Sequence, residues 1–497
     1  MAFYHGVSTR EVPTSLIPPA QMESGLPVIV GTAPIHLASD EDALNNVNKP
    51  KLIYSYDEAV LQFGFSKDWE KYTLCEFIYS QFALYAMSPC VLINVLDPNK
   101  HKEKITAKEF NITDGEINLG ADVLILDSSF EAASIVSEDD ETESKVIYKL
   151  DEDYTIDYDD DGNAIFSVIE DGALANKATV SLTYTKLKPE NITSNDIIGG
   201  VTRDGDYTGL ELINSVFPKF RLVPGLLGCP KWSEKPEVAA VMRAKAENIN
   251  GIFSAVSVVD IPSDSEGADV YTEVPEWKNR NNYMLASQIV CWPKIKLGDD
   301  VYHFSTQLIG LMNSVDHDNE DIPYESPSNH SLQMNACVNA AGKEIDLGLD
   351  QANYLNSQGI TTALNWQGGW KAWNNRTAVY PAVTDVKDTF IPIRRMFCWI
   401  RNEFILTFWQ KVDAPITPRL IKTIVNSFNI RLNGLAAREF ILGGRIEFQT
   451  TENPITDLMD GHLRFHIYFT PPSPAEQITG IFEYDPAYVE TLFAAVK

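Results

Sequence analysis

The stretch GITTALNWQGGWKAWNNRTAVYP, residues 359–381, is the part of the sequence that says most about the fold. Its tryptophans Trp366, Trp370 and Trp373 have helical spacing, but the Gly-Gly step between the first two disfavours a helix. ITTALNW therefore predicts a strand, and QGG predicts a turn. Large aromatic side chains more often pack in a core than bind a ligand. We therefore interpret the three tryptophans as packing residues.

The same stretch also suits a second interpretation, a sugar-binding platform. Such a platform needs flat aromatic faces for stacking and fixed hydrogen-bond partners beside them. Asn374, Asn375 and Arg376 directly follow the last tryptophan and could supply those partners. A carbohydrate-binding surface protein is therefore the alternative from a different functional class.

Composition describes an ordinary globular protein with a strong negative charge. The chain has 497 residues, of which 44% are hydrophobic and 22% charged, enough for two to four domains. Its formal net charge of -29 argues against binding nucleic acid or an anionic membrane. No apolar run approaches the ~20 residues of a membrane span. MAFYHGVSTREV lacks the pattern of a secretion signal.

The cysteines indicate reduced thiols in a protein made in the cytoplasm. They lie far apart, mostly in apolar surroundings, and no pair has the spacing of a zinc site. We expect no metal and no cofactor. The six are Cys75, Cys90, Cys229, Cys291, Cys337 and Cys398.

The order of patterns predicts an α+β multidomain fold, with α/β core domains, an inserted small all-β domain and extended N- and C-terminal arms. Buried strands alternating with amphipathic helices indicate a central α/β domain in two segments, residues 25–100 and 205–385. Between them, residues 101–204 are acidic, and their alternating apolar and polar residues predict short strands separated by close turns. We interpret this part as the inserted all-β domain.

The remaining segments are a second α+β unit and two arms. Residues 386–470 contain two helical patterns and two strands, GGRIEFQT and HLRFHIYF. Residues 1–24 have strand character followed by prolines that exclude a helix. Residues 471–497 follow a proline linker in the same way. An arm with strand character and no local partner is a candidate for pairing elsewhere.

Two acidic groups imitate functional sites. Asp157, Asp159, Asp161 and Gly162 resemble the start of a calcium loop, but Val168 occupies the twelfth position, where a bidentate glutamate is needed. A hairpin with a solvated Asp-Gly tip accounts for these residues.

The second acidic group surrounds His317 and would suit a metal site or a hydrolase. We favour a solvated acidic loop, because charge runs usually face water. Phosphate-loop, dinucleotide, zinc-protease and nucleophile-elbow motifs are all missing from the sequence. We therefore predict no catalytic and no metal-ligating residues. The acidic neighbours are Asp316, Asp318, Glu320 and Asp321.

The segment TPRLIKTIVNSFNIRLNGL predicts a long amphipathic helix with exposed bases. Thr417 suits its N-cap and Pro418 its first turn. Arg419 and Lys422 are three residues apart and share a face, and the helix also carries Arg431. The apolar side comprises Leu420, Ile421, Ile424, Val425, Phe428 and Leu432.

Several stretches together resemble one family, the contractile tail sheath proteins of myophages, which R-type bacteriocins share. LNSQGITTALNWQGGWKAWNNRT at 355–377 is the strongest local match. In that family the tryptophan stretch belongs to the subunit scaffold, which implies that its Asn and Arg side chains hold backbone and neighbouring loops. The acidic insert matches least. Other matches are FYHGV at 3–7, NDIIGGVTRDGDYTGLELI at 195–213, RLVPGLLGCP at 221–230 and RLNGLAAREFILGGRIEF.

The resemblance implies a structural protein and no enzyme. Many copies would polymerise helically around a tail tube protein, with baseplate and tail terminator proteins at the ends. Contraction would drive the tube through the target cell envelope. The protein would be part of a virion assembled in the host cytoplasm, without nucleic-acid or membrane partners. The sheath of a bacteriocin or another contractile injection system is the closest alternative.

The resemblance also implies where subunits meet. Both arms would add strands to the C-terminal sheet of neighbours, and the basic helix with Arg419, Lys422 and Arg431 would face the tube. The N-terminal arm residues are Phe3, Tyr4, His5, Gly6, Val7, Thr9 and Val12. The C-terminal arm residues are Ile478, Ile481, Phe482, Tyr484, Tyr488, Val489 and Leu492.

Overall fold

A computed structural model of the protein describes residues 25–39, 43–125, 128–139 and 142–490. Helices and several sheets both occur, which confirms the predicted α+β class. The strands are β1 (Pro27–Gly31), β2 (Lys51–Ile53), β3 (Cys90–Asn94), β4 (Lys102–Asn111), β5 (Glu116–Gly120), β6 (Glu131–Asp139), β7 (Thr142–Tyr148), β8 (Tyr154–Tyr158), β9 (Ala164–Val168), β10 (Thr179–Leu187), β11 (Gly200–Val201), β12 (Tyr207–Thr208), β13 (Leu226–Gly228), β14 (Val256–Asp260), β15 (Gln288–Cys291), β16 (Lys294–Leu297), β17 (Asp300–Tyr302), β18 (Ala336–Val338), β19 (Ile360–Trp366), β20 (Gly369–Trp373), β21 (Gly443–Glu447) and β22 (His466–Thr470).

Along the chain, most helices either connect strands of the central sheet or lie near the C-terminal end. A π-helical turn, Tyr79–Leu84, continues the second helix. The α-helices are α1 (Tyr56–Phe63), α2 (Thr73–Ile78), α3 (Ser194–Ile198), α4 (Ile213–Phe220), α5 (Pro236–Glu247), α6 (Val274–Arg280), α7 (Phe304–Asp318), α8 (Leu349–Asn356), α9 (Val386–Thr389), α10 (Ile391–Phe408), α11 (Pro418–Ala437) and α12 (Ile455–Met459).

An eight-stranded sheet forms the centre of the molecule, in the order β2-β3-β1-β13-β14-β15-β19-β20. Its inner strands run parallel, and β2 and β20 pair antiparallel at the two edges. Strands such as PVIVG and VSVVD are apolar and fully buried, as parallel strands covered by helices are expected to be. Helices α2, α5, α7 and α8 pack against this sheet.

All six cysteines are buried and unpaired, so the prediction of free thiols is confirmed. Burial raises their pKa, for Cys75 to about 12, which keeps the thiol protonated. Across the residues that the structure describes, no helix combines the length and the apolar character that crossing a membrane requires.

Residues 102–187 form two antiparallel sheets, β4-β10-β6-β7 and β5-β9-β8. Their facing side chains make a hydrophobic cluster of their own that includes Val123, Phe166 and Leu182. The predicted hairpin is present as β8 and β9. The Asp159 carboxylate accepts hydrogen bonds from the backbone N–H of Asp161 at 3.0 Å and of Asn163 at 2.7 Å. The carboxylate therefore serves the turn, as the hairpin interpretation expects.

A further hydrophobic cluster joins α10 and α11 to the two-stranded sheet β21-β22. Trp399, Phe428, Leu432 and Ile446 lie in its centre. The predicted cap of α11 is confirmed, because the Thr417 hydroxyl accepts a hydrogen bond from the N–H of Leu420 at 3.1 Å. The apolar side of α11 faces the cluster, as its periodicity predicts.

The interpretation of the residues around His317 as a solvated loop is wrong for Asp316. His317 and Asp318 are the exposed last residues of α7, whereas Asp316 is buried. Its carboxylate receives both Nη atoms of Arg395 on α10, the Nη1–Oδ1 distance being 2.9 Å. Arg395 is equally buried, so the two charges compensate each other away from water. The partner lies 79 residues away in sequence, where no local pattern could reveal it.

Replacing Asp316 with alanine would leave the Arg395 guanidinium buried without its counter-charge. We expect the free energy of unfolding to fall by about 3–5 kcal/mol, the cost of breaking a buried pair from one side. Urea unfolding of the monomeric chain measures this loss. The matched control is Asp318→Ala, which removes an exposed carboxylate of the same helix. Equal stability of the two variants would contradict the structural role of the pair.

Candidate assembly surfaces

The tryptophan stretch forms a hairpin of β19 and β20 at the edge of the central sheet. Trp370 packs against the central core, so the packing interpretation is confirmed there. It is wrong for Trp366, whose side chain is 60% exposed because β19 runs beyond the sheet core before the turn. Trp373 is half-buried, and its indole N–H donates to the Asn353 side chain at 2.9 Å.

The amides that follow the tryptophans hold the protein's own backbone. Asn374 is buried, and its side chain donates to the hydroxyl of Thr361 and the carbonyl of Arg376 while accepting the N–H of Arg376 at 2.8 Å. Asn375 accepts a hydrogen bond from the hydroxyl of Ser326. These contacts confirm the expected role in fixing neighbouring loops. They leave few free donors or acceptors for a bound sugar.

A buried lysine holds the other end of the stretch. The Lys278 ammonium donates to the carbonyls of Gln358 and Ala378 at 2.7 Å each, and to that of Tyr380 at 3.3 Å. Burial lowers its pKa to about 8. Gly359 takes a left-handed φ of 68° here, and a Cβ would lie 2.4 Å from the Thr377 carbonyl. The chain can therefore return to β19 this closely only through glycine.

Arg376 connects this scaffold to the C-terminal segment. Its Nε and Nη2 donate to the two carboxylate oxygens of Glu476 at 2.9 and 2.5 Å. Its Nη1 donates to the Thr389 hydroxyl at 3.2 Å, and its guanidinium lies 3.7 Å from the ring centre of Phe390 and 4.6 Å from that of Tyr380. A guanidinium fixed by a hydroxyl and two aromatic rings is preorganised for bidentate carboxylate binding. We call the Arg376–Glu476 pair the arm clamp.

Beyond the arm clamp, the large apolar side chains of the described part of the C-terminal segment are exposed. Phe482 is 98% exposed and Ile481 91%, although both are large and apolar. Ile478, Tyr484 and Tyr488 are also exposed, and residues 471–485 belong to no helix or strand. Val489 is 39% exposed. The other predicted arm residues fall outside the described residues: Phe3, Tyr4, His5, Gly6, Val7, Thr9, Val12 and Leu492.

The small sheet β21-β22 lies between α11 and solvent. Within the described residues it consists of these two strands alone, paired with Ile446 opposite Ile467. Phe465, Ile467 and Phe469 pack partly against the α10–α11 cluster. The other face is polar, with the Arg445 guanidinium 4.0 Å from the ring centre of Tyr468. An isolated pair of strands is marginal in water, so this sheet gains its stability from α11.

The bases of α11 divide into two kinds. Arg419 and Lys422 are exposed, and their side chains form no ion pair with any described residue. Arg431 instead donates its Nε to the buried Glu403 carboxylate at 2.7 Å and lies 5.4 Å from the ring centre of Trp399. Burial raises the pKa of Glu403 to about 6 even though Arg431 opposes the shift. Arg431 therefore serves the packing of α10 on α11.

Three contacts that matter most here were not predicted. Lys278, Glu403 and Glu476 each act through a partner between 28 and 100 residues away. For Glu476, a signal was present but weak: a single acid placed between a proline run and an apolar segment. Lys278 and Glu403 look like ordinary helix-surface charges in the sequence.

The arm clamp predicts how the C-terminal segment responds to mutation. Arg376→Ala removes the bidentate pair, a loss of about 1.5–3 kcal/mol, and should reduce the docked population of residue 476 roughly tenfold or more. A nitroxide attached at Gln477→Cys reports the change as faster motion in its electron paramagnetic resonance spectrum. Lys371→Ala removes a partly buried base of β20 that binds Ser331 instead, and it should leave the spectrum unchanged. An immobile label in Arg376→Ala would show that the clamp does not hold the segment.

Comparison with known proteins gives relatives along the whole chain. No protein-family model matches the sequence. The tail sheath protein of Burkholderia phage BcepMu is 27% identical over 502 residues, covering 99% of this chain and 98% of the relative. The major tail sheath protein of Serratia phage KSP20 is 25% identical over 60% of this chain and 73% of its own length.

Among solved structures, the sheath complex of an extracellular contractile injection system (PVC) in its contracted state has the same fold. It aligns with a TM-score of 0.56 at 12% identity, covering 98% of this chain and 99% of that chain. Sequence similarity to phage proteins and structural similarity to a contractile sheath thus agree over nearly all residues. This chain is a homologue of the phage tail sheath proteins and has the fold of contractile sheath subunits.

Proposed function

We propose that this chain is the structural subunit of a contractile tail sheath, which polymerises helically around a tail tube and contracts to drive the tube through a target envelope. The observation that carries the proposal is the apolar C-terminal segment, exposed from Ile478 to Tyr488 beyond the arm clamp. A single soluble subunit gains nothing from such a segment, whereas a polymer uses it as a link.

Strand addition is the proposed form of that link. The segment has free backbone groups and large apolar side chains, and β21-β22 is a sheet of only two strands within the described part of the chain. Main-chain pairing of one with the other joins subunits head to tail, and such contacts propagate into a helix. Burying Ile478 and Phe482 would contribute about 3–6 kcal/mol per copy. The predicted N-terminal arm, residues 1–24, would make a second link of the same kind.

The domain arrangement proposed from the sequence fits this role. Residues 25–100 and 205–385 form the body, residues 101–204 a separate acidic domain, and residues 386–470 the inner domain that carries both the sheet and α11. The separate hydrophobic cluster within 102–187 supports the second assignment. We place this acidic part on the solvent side of the sheath, since like charges favour separation. The arms, 1–24 and 471–497, complete the subunit.

Contraction in this proposal is a rigid-body rearrangement that needs no nucleotide. Subunits turn and slide while the arms keep them connected. A contracted state that buries roughly 200 Å² more apolar surface per subunit gains about 5 kcal/mol. Summed over many copies, this gain does the mechanical work, and the subunit has no catalytic role.

The proposed grip on the tube is electrostatic. Arg419 and Lys422 present two exposed charges on one face of α11, and pairs at the edge of an interface can be released more readily than a packed apolar contact. Arg431 contributes to this grip only by holding α11 against α10, because its charge is paired with Glu403.

The remaining partners follow from this role. Other copies of the chain, a tube protein, a baseplate and a terminator would surround the subunit in a virion, after assembly in the host cytoplasm. The sheath of a phage-derived bacteriocin or other injection system would use the same residues in the same way. The genes next to this one distinguish the two, through the presence or absence of capsid genes.

Negative-stain electron microscopy over a concentration series tests the function. We expect hollow, helically striated tubes from the intact chain. Deleting residues 2–20, or separately residues 478–497, should give folded monomers and no tubes, because each removes one link.

Compact particles alone from the intact chain, even with the tube protein present, would contradict the sheath role. Normal tubes from both deletions would contradict linkage through the arms and leave the sheath role standing. Circular dichroism of each deletion verifies that the body remains folded.

Charge reversal tests the tube-facing helix. Arg419→Glu with Lys422→Glu should weaken co-sedimentation with the tube protein about tenfold or more, because two attractive contacts become repulsive. The effect should shrink at high salt. Arg203→Glu with Lys343→Glu changes the net charge equally, at exposed positions outside α11. Equal binding by both double variants would refute the assignment of α11.

A further inference from the structure

The side chain of Asn429 occupies one edge of the small sheet. Asn429 lies on α11, and its amide nitrogen donates to the Ile446 carbonyl at 3.2 Å while its amide oxygen accepts the Ile446 N–H at 3.0 Å. A carboxamide carries the same donor and acceptor as a peptide group. Asn429 therefore pairs with β21 much as a neighbouring strand would.

This contact fixes which way each backbone group of the sheet points. In an antiparallel pair, the N–H and C=O of one residue point to the same side and alternate along the strand. Since those of Ile446 point to Asn429, away from β22, those of the opposite residue Ile467 point away from β21. Thr470 faces β21 instead, because its carbonyl accepts the Leu442 N–H at 2.8 Å. Ile467 and Phe469 therefore direct their peptide groups to the outer edge of β22.

The outer edge of β22 is open. Among the residues described, none donates to or accepts from the backbone of Ile467 or Phe469 across that edge. The two edges of the sheet thus differ: Asn429 closes the β21 edge at its middle residue, and the β22 edge presents free groups. An open edge of this kind is a template for an incoming strand.

We propose that Asn429 acts as a selectivity residue for assembly, and that the C-terminal segment of a second copy of this chain pairs with the outer edge of β22 and not with β21. The proposal rests on the proposed sheath function and names the edge, the face and the partner segment. The arm clamp holds the root of each segment on its own body at Glu476, and the described part of the segment, up to residue 490, makes no backbone bond to β22 of its own chain. The partner is therefore another copy.

The side chains of the C-terminal segment alternate in a way that matches the apolar and polar faces of the sheet β21-β22. In an extended strand, Ile478, Phe482 and Tyr484 share one side, with Gly480 between them. That side would continue the partly covered apolar row of Phe465, Ile467 and Phe469. The other side carries Thr479, Ile481 and Glu483, next to the polar face of Arg445 and Tyr468. A one-residue shift would place Glu483 on the apolar side. The alternation of apolar and polar residues therefore permits only registers that differ from one another by an even number of residues.

Disulfide cross-linking distinguishes the two edges. Arg445 and Tyr468 lie opposite each other on the same face, one on each strand, and form a matched pair of positions. Each is replaced by cysteine in turn and combined with cysteine at 479, 481 or 483. A strand next to β22 brings its Cβ atoms within about 4.5–5.5 Å of position 468 and leaves position 445 roughly 10 Å away. Disulfides need a Cβ separation of about 3.5–4.5 Å, which relaxation of adjacent strands permits.

The expected result is that Tyr468→Cys sheaths oxidise to covalent multimers at one segment position, and Arg445→Cys sheaths remain monomeric in denaturing gels. The native thiols are buried and do not interfere. Cross-links through Arg445→Cys, or sheaths that form but cross-link through neither position, would overturn the edge assignment and leave the sheath function intact. Failure of the unsubstituted chain to form sheaths would contradict the underlying function instead.

A second variant tests Asn429 itself. Asn429→Ala frees the peptide groups of Ile446, so cross-links through Arg445→Cys should appear in addition to those through Tyr468→Cys. Asn426→Ala, one turn earlier on the exposed side of α11, is the matched control and should leave the cross-linking pattern unchanged. An unchanged pattern in Asn429→Ala would show that the amide does not select the edge.

Discussion

The bidentate contact between Arg376 and Glu476 separates the part of the chain that folds on itself from the part that does not. On one side of it, the tryptophan hairpin, the buried amides and Lys278 build a rigid anchor at the edge of the central sheet. On the other side, residues 477–489 carry large apolar side chains into solvent. The proposed link through the C-terminal segment depends on that anchor, because Arg376 fixes the point at which the segment leaves its own subunit.

Much of the fold follows from local pattern. The buried strands, the caps and the apolar stripe of α11, and the hairpin at the Asp-Gly turn can all be predicted, since each depends on residues within one or two turns of one another. The strand order cannot, because parallel neighbours such as β1 and β13 lie about 200 residues apart in sequence. The burial of Asp316 was missed for the same reason, as its guanidinium partner belongs to a distant helix.

The surfaces proposed for assembly follow from the sequence only in outline. Strand character beside prolines is enough to predict an arm, and spacing is enough to place Arg419 and Lys422 on one face. Arg431, nine residues after Lys422, lies on a different side of the helix, and its charge is engaged by Glu403. The roles of Asn429 and Glu476 depend on single side chains meeting backbone or charge from another element. Only three-dimensional packing determines such contacts.

In the proposed sheath, the burial of all six thiols would matter most once the particle is outside the cell. The medium outside is oxidising, and a polymer of many identical subunits multiplies every accessible cysteine by the number of copies. One accidental disulfide between neighbours would tie two subunits together and block a concerted movement. With each thiol buried, and with the pKa of Cys75 raised to about 12, thiolate chemistry is suppressed throughout the lattice. A sheath made of such subunits can remain in its extended state without disulfides forming between neighbours and preventing contraction.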